Sequence, residues 1–312
     1  MKKVTVFLIF LTVWCSGCVR DDLAECPPLQ ITVEVTDKNY QNIAEAEAQG
    51  VDVRKAEDLP FSSYVNSLYY VITDAEGKVV KEQANYRIEN DEKAQVITLP
   101  ADLPYGKYTV TVWGNLKNSP ASPDDYRSLE LEGAAAAGAD VYTMSETFDY
   151  QYGNEQHTLG LKRTKGKLII QAVGFPSHID FVKQKAVGLL QRVDSELAYE
   201  GKGEVTSAAA WTMPDAHIMH TPYAPSVEED GSQLKVIFYD EDAHPGEAEA
   251  PMDMETVEEA TESRIPSKTV KVNFARNTIT LLKYDYSQLE PSMDIWVLVD
   301  GRWEVAHTME ID

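Results

Sequence analysis

Strict alternation of polar and apolar residues over Gln30-Ile31-Thr32-Val33-Glu34-Val35-Thr36 predicts a strand with one buried face. Leu68 to Thr73 reads as a second strand. Asp74-Ala75-Glu76-Gly77 turns the chain, and Lys78-Val79-Val80 brings it back. Gln95 to Leu99 is a further short strand, Leu103-Pro104-Tyr105-Gly106-Lys107 a turn, and Tyr108 to Trp113 alternates again. Short strands punctuated by Gly and Pro at this spacing predict a β-sandwich rather than βαβ units. Residues 116–140 lose the pattern, and Ala134 to Ala137 reads as loop, with one loose helical turn as the alternative.

A second β block begins near Leu159. Leu161 to Val173 reads as one strand with a bulge or bend at Thr164-Lys165-Gly166. Phe181 to Leu197 has a more helix-like spacing. Val270, Val272 and Phe274 face one side of a strand, and Asn277 to Leu282 continues after a turn. Ile295, Val297 and Val299 form the last clear strand, which Asp300-Gly301 turns back through Trp303 and Val305. Tyr239 to Arg264 is acidic, contains Pro and has almost no apolar periodicity. It reads as a long solvated loop without the spaced Asp/Asn and Gly of a calcium-binding loop. No internal repeat stands out. The fold class is mostly β, with an N-terminal domain over 29–158 and a C-terminal domain over 159–312.

The first residues follow a different rule. Met1-Lys2-Lys3 is a basic opening, Val4 to Trp14 an apolar run, and Cys15-Ser16-Gly17-Cys18 follows at once. The run falls short of the roughly 20 apolar residues that a bilayer span needs and reads as the core of a secretory signal. Small residues ahead of Cys18 suit a lipoprotein signal peptidase, giving a signal peptide over 1–17 and a lipidated acidic tether over 18–28. Cys15 stands where Leu is usual, and cleavage before Cys15 would put bulky Trp14 at the scissile position. Ordinary secretion and an uncleaved anchor are the alternatives. Acyl chains on Cys18 would hold the chain in the outer membrane, each buried CH₂ contributing about 0.8 kcal/mol.

Composition narrows the partners. The 28 Lys and Arg stand against 51 Asp and Glu, a net charge of −23. That field repels nucleic acid and anionic head groups, so no nucleic-acid partner is expected. Of three cysteines, Cys15 leaves with the signal and Cys18 carries lipid, so Cys26 has no intramolecular disulfide partner.

Cys18-Val19-Arg20-Asp21-Asp22-Leu23-Ala24-Glu25-Cys26-Pro27-Pro28 resembles the mature N-terminus of the FimB-type fimbrial anchor lipoproteins of Bacteroidales. Cys18 matches the lipid site, Asp21-Asp22-Leu23 the acidic pair with its Leu, and Cys26-Pro27 the step into the strand at Leu29. Tyr105-Gly106-Lys107-Tyr108-Thr109-Val110, Leu161-Lys162-Arg163 and Gly301-Arg302-Trp303 are further matches. The signal cysteine Cys15 and the long acidic loop depart from the pattern.

The resemblance implies two tandem β-sandwich domains of transthyretin-like type and a place at the base of a surface fibre. It also implies pilin (fimbrial stalk) subunits as partners. Asp21 and Asp22 resemble the surface-export signal of Bacteroidetes lipoproteins, although a solvated tether accounts for the same acids. Such fibres are thought to assemble by strand exchange, in which a donated strand satisfies the open edge of another subunit's sheet. Leu29 to Thr36 is expected to stay as the chain's own first strand, because clipping beyond Cys18 would release the anchor. The strand-exchange candidates are then Ile295, Val297, Val299, Trp303 and Val305, with an ordinary intradomain hairpin as the other reading.

Catalytic patterns are missing. No Gly-x-Ser-x-Gly elbow, phosphate-cradling glycine loop or His-Glu-x-x-His occurs, so neither an enzyme nor a cofactor is expected. His217 and His220 have a spacing that two metal ligands could share, but no third ligand is near in sequence. Two other functions stay open. One is a glycan-binding surface lipoprotein, for which Trp211 and Trp296 remain once Trp113 and Trp303 are assigned to strands. The other is an accessory or tip fimbrial subunit.

Overall fold

The computed structural model describes residues 28–100, 102–118, 125–131, 140–211, 217–227, 231–240, 254, 263–287 and 292–310. The N-terminal half contributes β1 (Gln30–Val35), β2 (Ser67–Thr73), β3 (Val79–Arg87), β4 (Gln95–Thr98), β5 (Gly106–Gly114), β6 (Ser128–Glu130), β7 (Tyr142–Tyr150) and β8 (Gln156–Arg163). Seven of these form the order β3-β2-β5-β7-β8-β1-β4. Strands β7 and β8 pair only at Tyr142–Arg163 and Thr143–Lys162, so the sheet turns a corner there. Its two limbs enclose one core. Ile31, Val33, Leu159 and Leu161 from one limb meet Tyr70, Ile72, Val110 and Val112 from the other. This is a sandwich closed at one edge by a strand pair.

The C-terminal half contributes β9 (Gly166–Val173), β10 (Phe181–Leu189), β11 (Arg192–Asp194), β12 (Tyr199–Glu200), β13 (Gly203–Ala210), β14 (Ile218–Tyr223), β15 (Ser232–Tyr239), β16 (Arg264–Pro266), β17 (Val270–Val272), β18 (Ile279–Ser287), β19 (Ser292–Val299) and β20 (Arg302–Glu310). One sheet runs β14-β9-β18-β19-β20. The other runs β13-β10-β15-β16, with β17 also pairing β15. Leu168, Ile170, Leu282 and Ile295 of the first pack on Val182, Leu234, Val236 and Phe238 of the second. This core runs on into Tyr69, Trp113, Leu129 and Val141 of the N-terminal half. The small sheet β12-β11-β6 also joins the halves.

A pairing pattern occurs twice. Strand β1 lies between antiparallel β4 and parallel β8, and β9 lies between antiparallel β14 and parallel β18. The two strands share no sequence pattern that would announce this.

Two sequence expectations are corrected. The segment expected to be helix-like from Phe181 to Leu197 is strand β10 followed by β11. Strand β10 is paired along its length by both β13 and β15. Gly188, at φ +89°, shifts the register between Val187 and Leu189. That bulge breaks the period of two and imitates helical spacing. Leu161 to Val173 is two strands rather than one: β8 ends in one sheet and β9 begins in another. Thr164 and Lys165, between them, are fully buried. Gly166 is required there, because a Cβ would lie 2.3 Å from the Ala275 carbonyl oxygen. The boundary expected at 158/159 falls within β8, and the sheets change over at Thr164-Lys165. Ala134 to Ala137 and nearly all of the acidic stretch between Tyr239 and Arg264 lie outside the described residues.

A short helix, α1 (Ile43–Ala48), follows β1. Six residues do not hold a helix in water by themselves. Here Ile43 and Ala46, three apart and so on one face, are buried on the C-terminal sheet against Ile169, Ile218, Ile279 and Leu281.

Candidate functional site

The sequence points to attachment near the N-terminus and partner contact near the C-terminus. Cys18, Asp21 and Asp22 lie outside the described residues. At the start of the described residues, Leu99 N–H donates to the Leu29 carbonyl (2.9 Å) and Gln30 N–H to that of Glu155 (2.8 Å). From there β1 runs toward the junction of the halves, since it is parallel to β8, which ends at Arg163. Strand β1 is paired on both sides, by β8 and by the edge strand β4.

The other end follows from register. Strand β18 starts beside Lys167 and ends near Val173; β19 returns antiparallel, and β20 runs outward again. The last strand therefore finishes at the end of the C-terminal half away from the junction, and Leu29 lies at the opposite end of the N-terminal half. Strand β19 is paired on both sides by β18 and β20, and β20 is the edge of its sheet. Ile295 is fully buried and Val297 packs partly on the core, whereas Val299 and Val305 are exposed, Val305 to 53%. Asp300 and Gly301, at φ 48° and 72°, make the two-residue turn that their identities predict. An accessible edge exists, but Ile295 and Val297 belong to this chain's own core.

Between the ends sits a polar joint. Arg163 is 4% exposed. It pairs with Asp140 and donates to Asn277 Oδ1 (3.1 Å) and the Asp37 carbonyl (3.0 Å). Its guanidinium lies 3.9 Å from the Tyr40 ring centroid. Arg276 donates to Asp37 Oδ2 (2.6 Å) and to the Arg163 carbonyl (3.0 Å). Burial pushes the Asp140 carboxyl above the usual carboxylate range, against the opposing pull of Arg163. Burial raises Asp52 too, but its hydrogen bond to Lys167 (2.8 Å) and that ammonium's charge outweigh it and hold the carboxyl below its ordinary value.

The histidines do not converge. His217 stacks on Trp211 at 5.5 Å, and His220 Nε2 donates to the Val51 carbonyl (3.0 Å). Among the described residues no group of three or more His, Cys, Asp and Glu could hold a metal ion, and no helix is long and apolar enough to cross a membrane. Of the four tryptophans weighed for a sugar platform, Trp113 and Trp211 are buried. Trp296 and Trp303 are half-buried, each about one ring contact from Lys283 Nζ (5.1 and 5.0 Å).

Sequence reasoning missed the joint. Asp37 and Arg276 are 239 positions apart, and nothing near either residue announces the other. The one local signal is Asn277, whose positive φ of 53° suits Asn better than most residues.

The fold and its polar joint define a two-part, mostly β protein whose last described strand is the edge of its sheet. Residues 23–140 match the family model described as "Fimbrillin-A associated anchor proteins Mfa1 and Mfa2". This is the class of protein that the segment after Cys18 resembles, and the match begins within that segment. No curated protein is significantly similar to the chain. Among solved structures, a candidate adhesin from Bacteroides thetaiotaomicron is similar at a TM-score of 0.51 and 13% identity, over 93% of this chain and 100% of the other. A candidate adhesin from Bacteroides ovatus gives 0.50 and 14%, over 94% and 98%. The fimbrial anchor protein Mfa2 from Porphyromonas gingivalis gives 0.46 and 10%, over 90% and 100%.

Proposed function

We propose that this protein is a lipoprotein that anchors a fimbria to the outer membrane of the cell surface. Acyl chains on Cys18 hold it in the membrane, and Asp21 and Asp22 direct its export. Pilin subunits contact it through β-strand pairing at the far end of the C-terminal half. The observation that carries this reading is the match of residues 23–140 to the fimbrial anchor family. The opposed positions of Leu29 and of the end of β20 support it, since a base subunit must hold the membrane at one end and the fibre at the other.

The geometry favours β20 over β19 as the contact. Removing β19 would uncover Ile295 and split a sheet, whereas β20 is the edge of its sheet among the described residues and exposes Val305. No catalytic role is proposed. The test is electron microscopy of cells and culture supernatant after Cys18→Ala. Fibres shed into the medium or grown abnormally long are the expected result, and unchanged cell-attached fibres would overturn the reading.

A further inference from the structure

The connection from Asp37 to Val53 leaves the N-terminal sandwich and lies across the outer face of the C-terminal sheet, touching every strand of it. His220 and Ile218 of β14 meet Val51 and the α1 face. On β9, Lys167 pairs with Asp52 and Ile169 packs under the helix. On β18, Ile279 exchanges two hydrogen bonds with the Asn42 side chain, at 2.8 Å each. Leu298 of β19 packs on the same cluster, and Trp303 of β20 donates to Gln49 Oε1 (3.2 Å). At its start the connection is pinned by Arg163 and Arg276 on Asp37, and by Gln41 N–H on the Asn277 carbonyl (2.9 Å).

We infer that residues 37–53 are a mechanical clamp that makes the two halves one load-bearing body and passes tension from the N-terminal tether straight into the C-terminal sheet. The load-bearing role rests on the anchor reading; the coupling of the halves does not. A pull at Leu29 acts along β1, which is held in shear by parallel β8 and antiparallel β4. In shear the ladder bonds share the load instead of opening one by one. The next residues along the chain, Asp37 to Asn42, are already bonded to β18 and its preceding turn. Tension thus reaches the strands beside β19 and β20 without first crossing the rest of the N-terminal sandwich.

The test is single-molecule pulling of the mature chain with handles at Pro28 and His307. The intact protein should rupture in one event that releases the contour length of both halves, at about 3.4 Å per residue. Ile43→Asp should split this into two events at lower force, each releasing about half the length. Should that variant fail to fold, Asn42→Ala, which keeps the apolar contacts, should still lower the rupture force. Two separate events in the unaltered chain, or a rupture force unmoved by Asn42→Ala, would overturn the clamp. Neither result depends on fibres, so failure of the clamp is distinguishable from failure of the anchor reading, which Cys18→Ala tests in cells.

Discussion

Strands β1 and β9 occupy the same place in the two halves, each between one antiparallel and one parallel neighbour, yet their sequences differ in kind. Strand β1 alternates: Ile31, Val33 and Val35 are buried, while Glu34 and Thr36 face solvent. In β9, Leu168, Ile169 and Ile170 are all fully buried in succession. The difference is what covers the second face. Nothing described lies over Glu34, whereas α1 lies over Ile169. A strand covered on both faces needs a continuous apolar run, and one covered on a single face needs only every second position. The N-terminal half thus supplies a layer of the C-terminal half, and the pair of strands records that asymmetry.

The strongest way to break the comparison is at the joint where the two strands approach. Arg163→Ala empties a buried site, leaves the half-buried Asp140 carboxylate without its cation and strands the Asn277 and Asp37 acceptors. Loss of a buried partner of this sort costs about 3–5 kcal/mol, measurable by urea unfolding. Arg54, half-exposed and 3.7 Å from Glu47, is the control. Removing it should change stability by less than about 1 kcal/mol.

Next in size is a matched pair on the strands themselves. Ile169→Asn places an amide beneath α1 and should destabilise by roughly 2–4 kcal/mol. Glu34→Gln, on the corresponding open face of β1, should shift the same curve by less than about 0.5 kcal/mol. Equal effects would mean that α1 does not cover β9 in solution. Asn42→Ala removes both bonds to Ile279 and should cost about 1–3 kcal/mol, lowering the thermal midpoint without altering far-UV circular dichroism.

The smallest effect is a dependence on pH. Burial, aided by the Lys167 charge, holds the His220 imidazole below its ordinary value of 6.5. The unfolded chain therefore takes up a proton at higher pH than the fold does. The contribution of neutral His220 is complete above the ordinary value and is lost as pH falls from there through the lowered folded value. The thermal midpoint should drop between neutral and mildly acidic buffer. His220→Gln, which keeps a donor for the Val51 carbonyl, should flatten that part of the profile. A slope unchanged in the variant would assign it to other groups.

Much of this architecture was legible along the chain, for reasons that are local. The alternation from Gln30 to Thr36 needs only one buried face to exist, and it forms β1. The Asp300-Gly301 turn needs two positive φ angles, and those residues supply them. What sequence could not decide was set by partners far away. Strand β10 is a strand because β13 and β15 flank it. Thr164-Lys165 is a change of sheet because Ala275 and Asn277 close on it from more than a hundred residues on. Asp37, Arg163 and Arg276 became one joint because α1 lies on the other half. Periodicity and turn chemistry are carried by neighbours in the chain and can be read there; burial on a second face and pairing of buried charges are carried by neighbours in space, and only the tertiary structure supplies those.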